Sequence, residues 1–153
     1  MKKRSQRQDI IRDIVRSERI KTQQAIVERL KDHGYNTTQA TMSRDVDALQ
    51  LTKSGGYYVL PEDKFLKRMV QDLSETVQRA GNLLVIHAQG GTAPGVAAAI
   101  DSAEFDGILG TISGDTTLLC VCESEEKAEI VERDLLFFMS ENALSDKSSA
   151  RRI

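Results

Sequence analysis

An α+β fold in two parts is predicted from three observations. Apolar residues recur at helical spacing over the first fifty positions. Two hairpin signals, Gly55-Gly56 and Gly114-Asp115, are each flanked by β-rich runs. The charge also changes sign part-way along: residues 1–60 hold 12 Lys+Arg against 7 Asp+Glu, whereas 61–153 hold 9 against 16, so a module of +5 precedes one of −7 in a chain of net −2. At 153 residues, two small domains fit this pattern better than one, and small cores make oligomerisation a plausible stabiliser.

The first helix is predicted from the capping-box pair Ser5 and Gln8, followed by Ile10, Ile11, Ile14 and Val15 on one face. A second starts after Thr22, turns Ala25, Ile26 and Leu30 inward and stops at Gly34. A short turn leads to a third helix capped by Thr38, whose apolar stripe is Met42, Val46 and Leu49. With Met42 at zero, roughly 100° per residue sets Arg44 near 200°, almost opposite the stripe. Ala40, Thr41, Ser43 and Arg44 occupy that arc, a surface of short hydrogen-bonding groups and one guanidinium. Such a surface fits a major groove, which excludes bulk and where Arg reads guanine. Leu51–Ser54 and Tyr57–Leu60 then form a hairpin around Gly55-Gly56. Three helices and a hairpin in about sixty residues define a winged helix-turn-helix, with Arg44 on the recognition helix and Lys53 on the wing. Eight basic residues within the first 21 positions (Lys2, Lys3, Arg4, Arg7, Arg12, Arg16, Arg19, Lys21) are the footprint that phosphate binding demands. The candidate DNA-contacting residues are Thr38, Gln39, Thr41, Ser43, Arg44 and Lys53, and the expected partner is double-stranded DNA.

Residues 61–64, Pro-Glu-Asp-Lys, are predicted as a charged linker. Phe65, Leu66, Met69, Val70, Leu73 and Val77 recur at helical spacing up to Gly81, and Leu83–His87 reads as a buried strand. A glycine-rich loop, Gln89–Gly95, precedes a helix from Pro94 to about Ala103. Ile108–Ile112 and Thr116–Cys122 pair around Gly114-Asp115, and a last helix runs from Ser124 to about Phe138. This αβαββα order over 65–140 predicts one sheet with helices on a face. Residues 141–153 are predicted to be a disordered tail.

No enzyme is indicated. Cys120 and Cys122 alternate on one strand face as buried thiols, and no other Cys completes a zinc site. His33 and His87 stand without a nucleophile or carboxylate at catalytic or metal-ligand spacing. The loop at Ala93 leads into a helix N-terminus suited to a small carboxylate, but it lacks the Lys of a phosphate-binding loop. No apolar run has membrane length and no signal-peptide stretch opens the chain, so a cytoplasmic location is expected.

Two stretches, Thr38-Gln-Ala-Thr-Met-Ser-Arg-Asp-Val46 and Gly110-Thr-Ile-Ser-Gly-Asp-Thr-Thr-Leu118, resemble the signatures of the bacterial arginine repressors over nearly the whole chain. The resemblance implies an oligomerisation and effector domain at 65–140, a homohexamer of two homotrimers, and L-arginine bound between trimers as corepressor. It also implies operators in arginine biosynthesis and catabolism genes, with Ser43-Arg44 contacting DNA. The implied effector residues are Ala93, Asp101, Asp115 and Thr116. Two departures stand out: the family's Gly-Asp-Asp hairpin tip reads Gly114-Asp115-Thr116, and the ligand-contacting Gln falls at Pro94. Guanidinium recognition favours a planar, doubly accepting anion, for which a hydroxyl is a poor substitute. A transcriptional regulator with a weakened arginine response follows, with a paralogous regulator as a candidate partner; the alternative is the same fold sensing a different small molecule.

Overall fold

The computed structural model describes residues 5–150, with side chains through Ser140. Two compact units divide between Lys64 and Phe65.

In the first unit, α1 (Gln6–Ser17), α2 (Gln23–Asp32) and α3 (Gln39–Ala48) are each opened by a side chain that sequence alone identifies. Ser5, Thr22 and Thr38 accept hydrogen bonds from the backbone N–H groups of Gln8, Ala25 and Thr41, satisfying donors that the helix leaves unpaired. The hairpin β1 (Thr52–Ser54) and β2 (Tyr57–Val59) turns through Gly55 and Gly56 at φ 61° and 87°, values that glycine adopts without strain. Ile11, Ile26, Leu30, Met42 and Leu60 lie fully buried at the centre of this unit's core.

The expected linker at 61–64 is instead the first turn of α4 (Pro61–Leu73). Proline suits the first helical position, where no intrahelical N–H bond is lost, and Glu62 and Asp63 complement the positive end of the helix dipole. Their charge, read as a sign of solvation, is directed at α1: Arg12 meets Glu62 at 2.8 Å, and buried Arg16 binds buried Asp63.

The second unit holds a four-stranded antiparallel sheet of order β3-β4-β6-β5, formed by Ser74–Ala80, Leu83–Ala88, Thr117–Cys122 and Ile108–Ser113. The helix expected to continue to Gly81 stops at Leu73, and β3 takes its place, so the order is αββαββα rather than αβαββα. Val77 extended the helical pattern by coincidence, since its burial comes from pairing with Ile86 on β4. The helices α5 (Ala93–Ala103) and α6 (Glu125–Ala150) supply Val96, Ile100, Val131 and Leu135 to the core, opposite Leu84, Ile86, Leu118, Cys120 and Cys122. Both cysteines are free, and burial raises the Cys120 thiol to about 12, which keeps it inert. The last helix passes the expected stop near Phe138 and reaches Ala150, as no Gly or Pro interrupts its sequence. Of the tail expected to be disordered, 141–150 thus continue this helix and 151–153 lie outside the described residues.

Candidate nucleic-acid interface and effector site

Buried Met42, Val46 and Leu49 hold α3 against its unit and leave Gln39, Ala40, Ser43 and Arg44 exposed. Among the described residues the exposed Arg44 makes no ion pair. Thr38 and Thr41 are engaged locally through a 3.1 Å hydroxyl contact, and the Gln39 side chain donates to Gln23 Oε1 at 2.8 Å. These bonds order the N-terminal turn of α3 and tie it to α2. On the wing, Lys53 lies 5.2 Å from the centre of the Tyr58 ring.

Next to Arg44 stands a residue that sequence reasoning missed. Asp45 is buried and accepts from Arg7 Nε at 2.6 Å, from an Arg7 Nη at 3.0 Å and from Gln8 Nε2 at 3.2 Å. Burial pushes its carboxyl up, but the hydrogen bonds from Arg7 and Gln8 and the Arg7 charge outweigh that and hold it below its usual value. The helical wheel carried the signal: Asp45 falls near 300°, roughly 60° from Met42 and hence beside the buried stripe. The forked pair fixes the rotation of α3 about its axis and so the direction of Arg44.

The basic footprint is smaller than composition suggested. Arg7, Arg12 and Arg16 are paired with Asp45, Glu62 and Asp63 inside the unit. Lys2, Lys3 and Arg4 lie outside the described residues. Arg19 and Lys21 converge on Tyr57 at the wing.

In the second unit, the glycine loop and the β5–β6 tip lie together. The Ala93 N–H donates to the Asp115 carbonyl at 3.3 Å and the Ala88 N–H to the Thr116 carbonyl at 2.8 Å. A Cβ on Gly91 would lie 3.8 Å from Asp115 Oδ1, and Gly91 has φ 76°. Ala93 is buried, whereas Pro94, Asp115 and Thr116 are exposed at the rim. Asp101 is placed elsewhere: it sits eight residues along α5, roughly 12 Å away at 1.5 Å per residue. Both its carboxylate oxygens face the Thr111 hydroxyl at 3.0 Å. Within one chain the structure therefore joins Ala93, Asp115 and Thr116 and leaves Asp101 apart. No cluster of three metal-ligating side chains occurs among the described residues, and no helix there is long and apolar enough to cross a membrane.

A basic three-helix unit with a β-wing, joined to an acidic α+β unit with a loop-and-tip rim, defines a two-part DNA-binding regulator. Residues 2–65 match the family described as arginine repressor, DNA binding domain, and residues 70–136 match arginine repressor, C-terminal domain. The arginine repressor of Shouchella clausii is 41% identical, with 87% of this chain aligned to 97% of that protein. That of Staphylococcus haemolyticus is 40% identical over 86% and 95% of the two chains, and that of Geobacillus stearothermophilus 39% over 87% and 97%. The chain belongs to the arginine repressor family, as a DNA-binding transcriptional regulator of arginine metabolism and not an enzyme.

Proposed function

We propose that this regulator reads operator DNA with α3, through Ser43 and Arg44 with Thr38, Gln39 and Thr41 beside them, while Lys53 on the wing contacts phosphate. The observation that carries this is the contrast between neighbours: Asp45 is buried and locked to Arg7, while Arg44 is exposed without an ion pair among the described residues. Fluorescence anisotropy with an arginine-operator duplex tests it. Arg44→Ala should cost about 1–3 kcal/mol of operator affinity and relax preference at one base position. Unchanged affinity would remove α3 from the reading role.

The effector rim comprises Ala93, Asp115 and Thr116, with Asp101 supplied from a separate place. That separation supports a ligand held between subunits rather than in one chain's pocket. Assembly into trimers and hexamers is supported by the open side of the sheet, where Leu109 and Ile112 are 70% and 69% exposed. L-arginine is the corepressor, held more weakly than at a tip with two carboxylates, since Thr116 offers a hydroxyl where the second would stand. Sensing of a different small molecule by this rim is the second reading, favoured by the same residue and by Pro94. The protein acts in the cytoplasm, beside a fully arginine-responsive paralogue.

A further inference from the structure

The amino ends of α2 and α3 are joined by one pair of side chains. Gln23 and Gln39 each open a helix, directly after the capping threonines Thr22 and Thr38. Gln39 Nε2 donates to Gln23 Oε1 at 2.8 Å, a bond between residues 16 apart in the chain. Gln39 is exposed, next to exposed Ala40 on the helix that carries Ser43 and Arg44, and Gln23 is half-buried.

A carboxamide has two donor hydrogens and one acceptor oxygen. The bond to Gln23 takes one Nε2 hydrogen of Gln39 and leaves one donor hydrogen with the acceptor oxygen. That combination matches adenine, which presents N7 as an acceptor and N6–H as a donor in the major groove. It does not match guanine, whose N7 and O6 both accept and so call for two donors. The bond also fixes a flexible side chain before DNA arrives, which lowers the ordering cost of binding.

We propose that Gln23 is a positioning residue that aims the Gln39 carboxamide at the major-groove edge of an adenine. Gln39 is then a specificity-determining residue, reading one A·T pair of the operator beside the contact made by Arg44. Gln23 acts as the acceptor that occupies the second donor hydrogen of Gln39, so the pair selects adenine over guanine. This inference rests on the reading of α3 as the DNA-reading helix given above.

The test is anisotropy titration of the full chain, at one salt concentration, with a labelled arginine-operator duplex, its single A·T-to-G·C replacements and a scrambled duplex. Gln39→Ala should lose preference at one A·T pair by roughly 5- to 150-fold and bind the scrambled duplex as the wild type does. Gln23→Ala should lose about two- to twelvefold of the preference at that same pair, again with the scrambled duplex unaffected. Combined with Gln39→Ala it should cost no further preference, since the two side chains act as a unit. Gln23→Glu keeps an acceptor for Gln39 Nε2, so it should retain the preference while its negative charge weakens binding to every duplex. A Gln23→Glu variant that loses the preference as Gln23→Ala does overturns the proposal, as do additive losses in the double variant. So does a Gln23→Ala loss equal on operator and scrambled duplexes. Unchanged preference at every pair in Gln39→Ala overturns it too, and a loss in Arg44→Ala would then leave the α3 reading standing. Full operator preference in both Gln39→Ala and Arg44→Ala would overturn that reading as well.

Discussion

Arg16 donates through Nε and Nη2 to the two carboxylate oxygens of Asp63 at 2.8 and 2.7 Å, and both side chains are buried. The pair joins residues 47 apart in the chain and fastens the first turn of α4 to α1. Buried pairs of this kind contribute little net stability, because desolvation offsets the attraction, yet losing one partner is costly. Burial lifts the Asp63 carboxyl above its usual value even with Arg16 beside it. Asp63→Ala should destabilise the first unit by about 3–5 kcal/mol, whereas Arg16→Met/Asp63→Leu should be near neutral or stabilising. The chain has no Trp and its three Tyr are Tyr35, Tyr57 and Tyr58, so tyrosine emission during urea unfolding reports this unit alone.

The same contacts place the end of the DNA-binding unit beyond the wing. A fragment 1–60 lacks Glu62 and Asp63, which form ion pairs with two buried arginines on α1. It should unfold at distinctly lower urea than a fragment 1–73, by an amount comparable to the loss of Asp63. Equal midpoints for the two fragments would show that the first turn of α4 adds nothing to the unit.

Arg7→Met should weaken operator binding by disorienting Arg44 while leaving the salt slope unchanged, because the Arg7 charge is engaged by Asp45 rather than by phosphate. The pH dependence has a defined sign. The folded Asp45 carboxyl lies below its unfolded value, so its stabilisation is present above the unfolded value of about 4 and disappears as pH falls through the folded one. Asp63, raised by burial, acts in the opposite sense: its contribution is present below the unfolded value and is lost as pH rises through the folded one. Asp45→Asn should therefore remove the acid-side loss of stability, measured as the urea midpoint between about pH 3 and 5.

Local chemistry made much of this fold readable. Ser5, Thr22 and Thr38 cap their helices through bonds to the third residue on, and Gly55-Gly56 closes its hairpin without help from elsewhere. The failures share a different cause. The linker reading assigned Glu62 and Asp63 to solvent because their arginine partners are 50 and 47 residues away. β3 was hidden because Val77 falls in step with the helix before it, and only β4 reveals the ladder that pairs it. At the effector rim, Asp115 and Thr116 follow from the turn signal, but their distance from Asp101 depends on how α5 lies over the sheet. That is a tertiary fact with no sequence period.

Thr116 bears on assembly as well as ligand affinity. In a hexamer with facing tips, a second Asp at each tip would crowd like charges that a cationic ligand neutralises, and Thr116 removes one charge per tip. Thr116→Asp should bind arginine on the order of 10- to 150-fold more tightly, the equivalent of a charge-assisted contact of about 1.5–3 kcal/mol. By gel filtration it should also depend more on arginine to assemble, since both effects have one cause.

The most direct test of an arginine repressor with a weakened effector response is the operator affinity of the wild type and Thr116→Asp, titrated with and without saturating L-arginine. The wild type should bind the operator duplex with little change on adding arginine, and Thr116→Asp should gain affinity strongly. Equal arginine dependence in the two proteins would contradict the account.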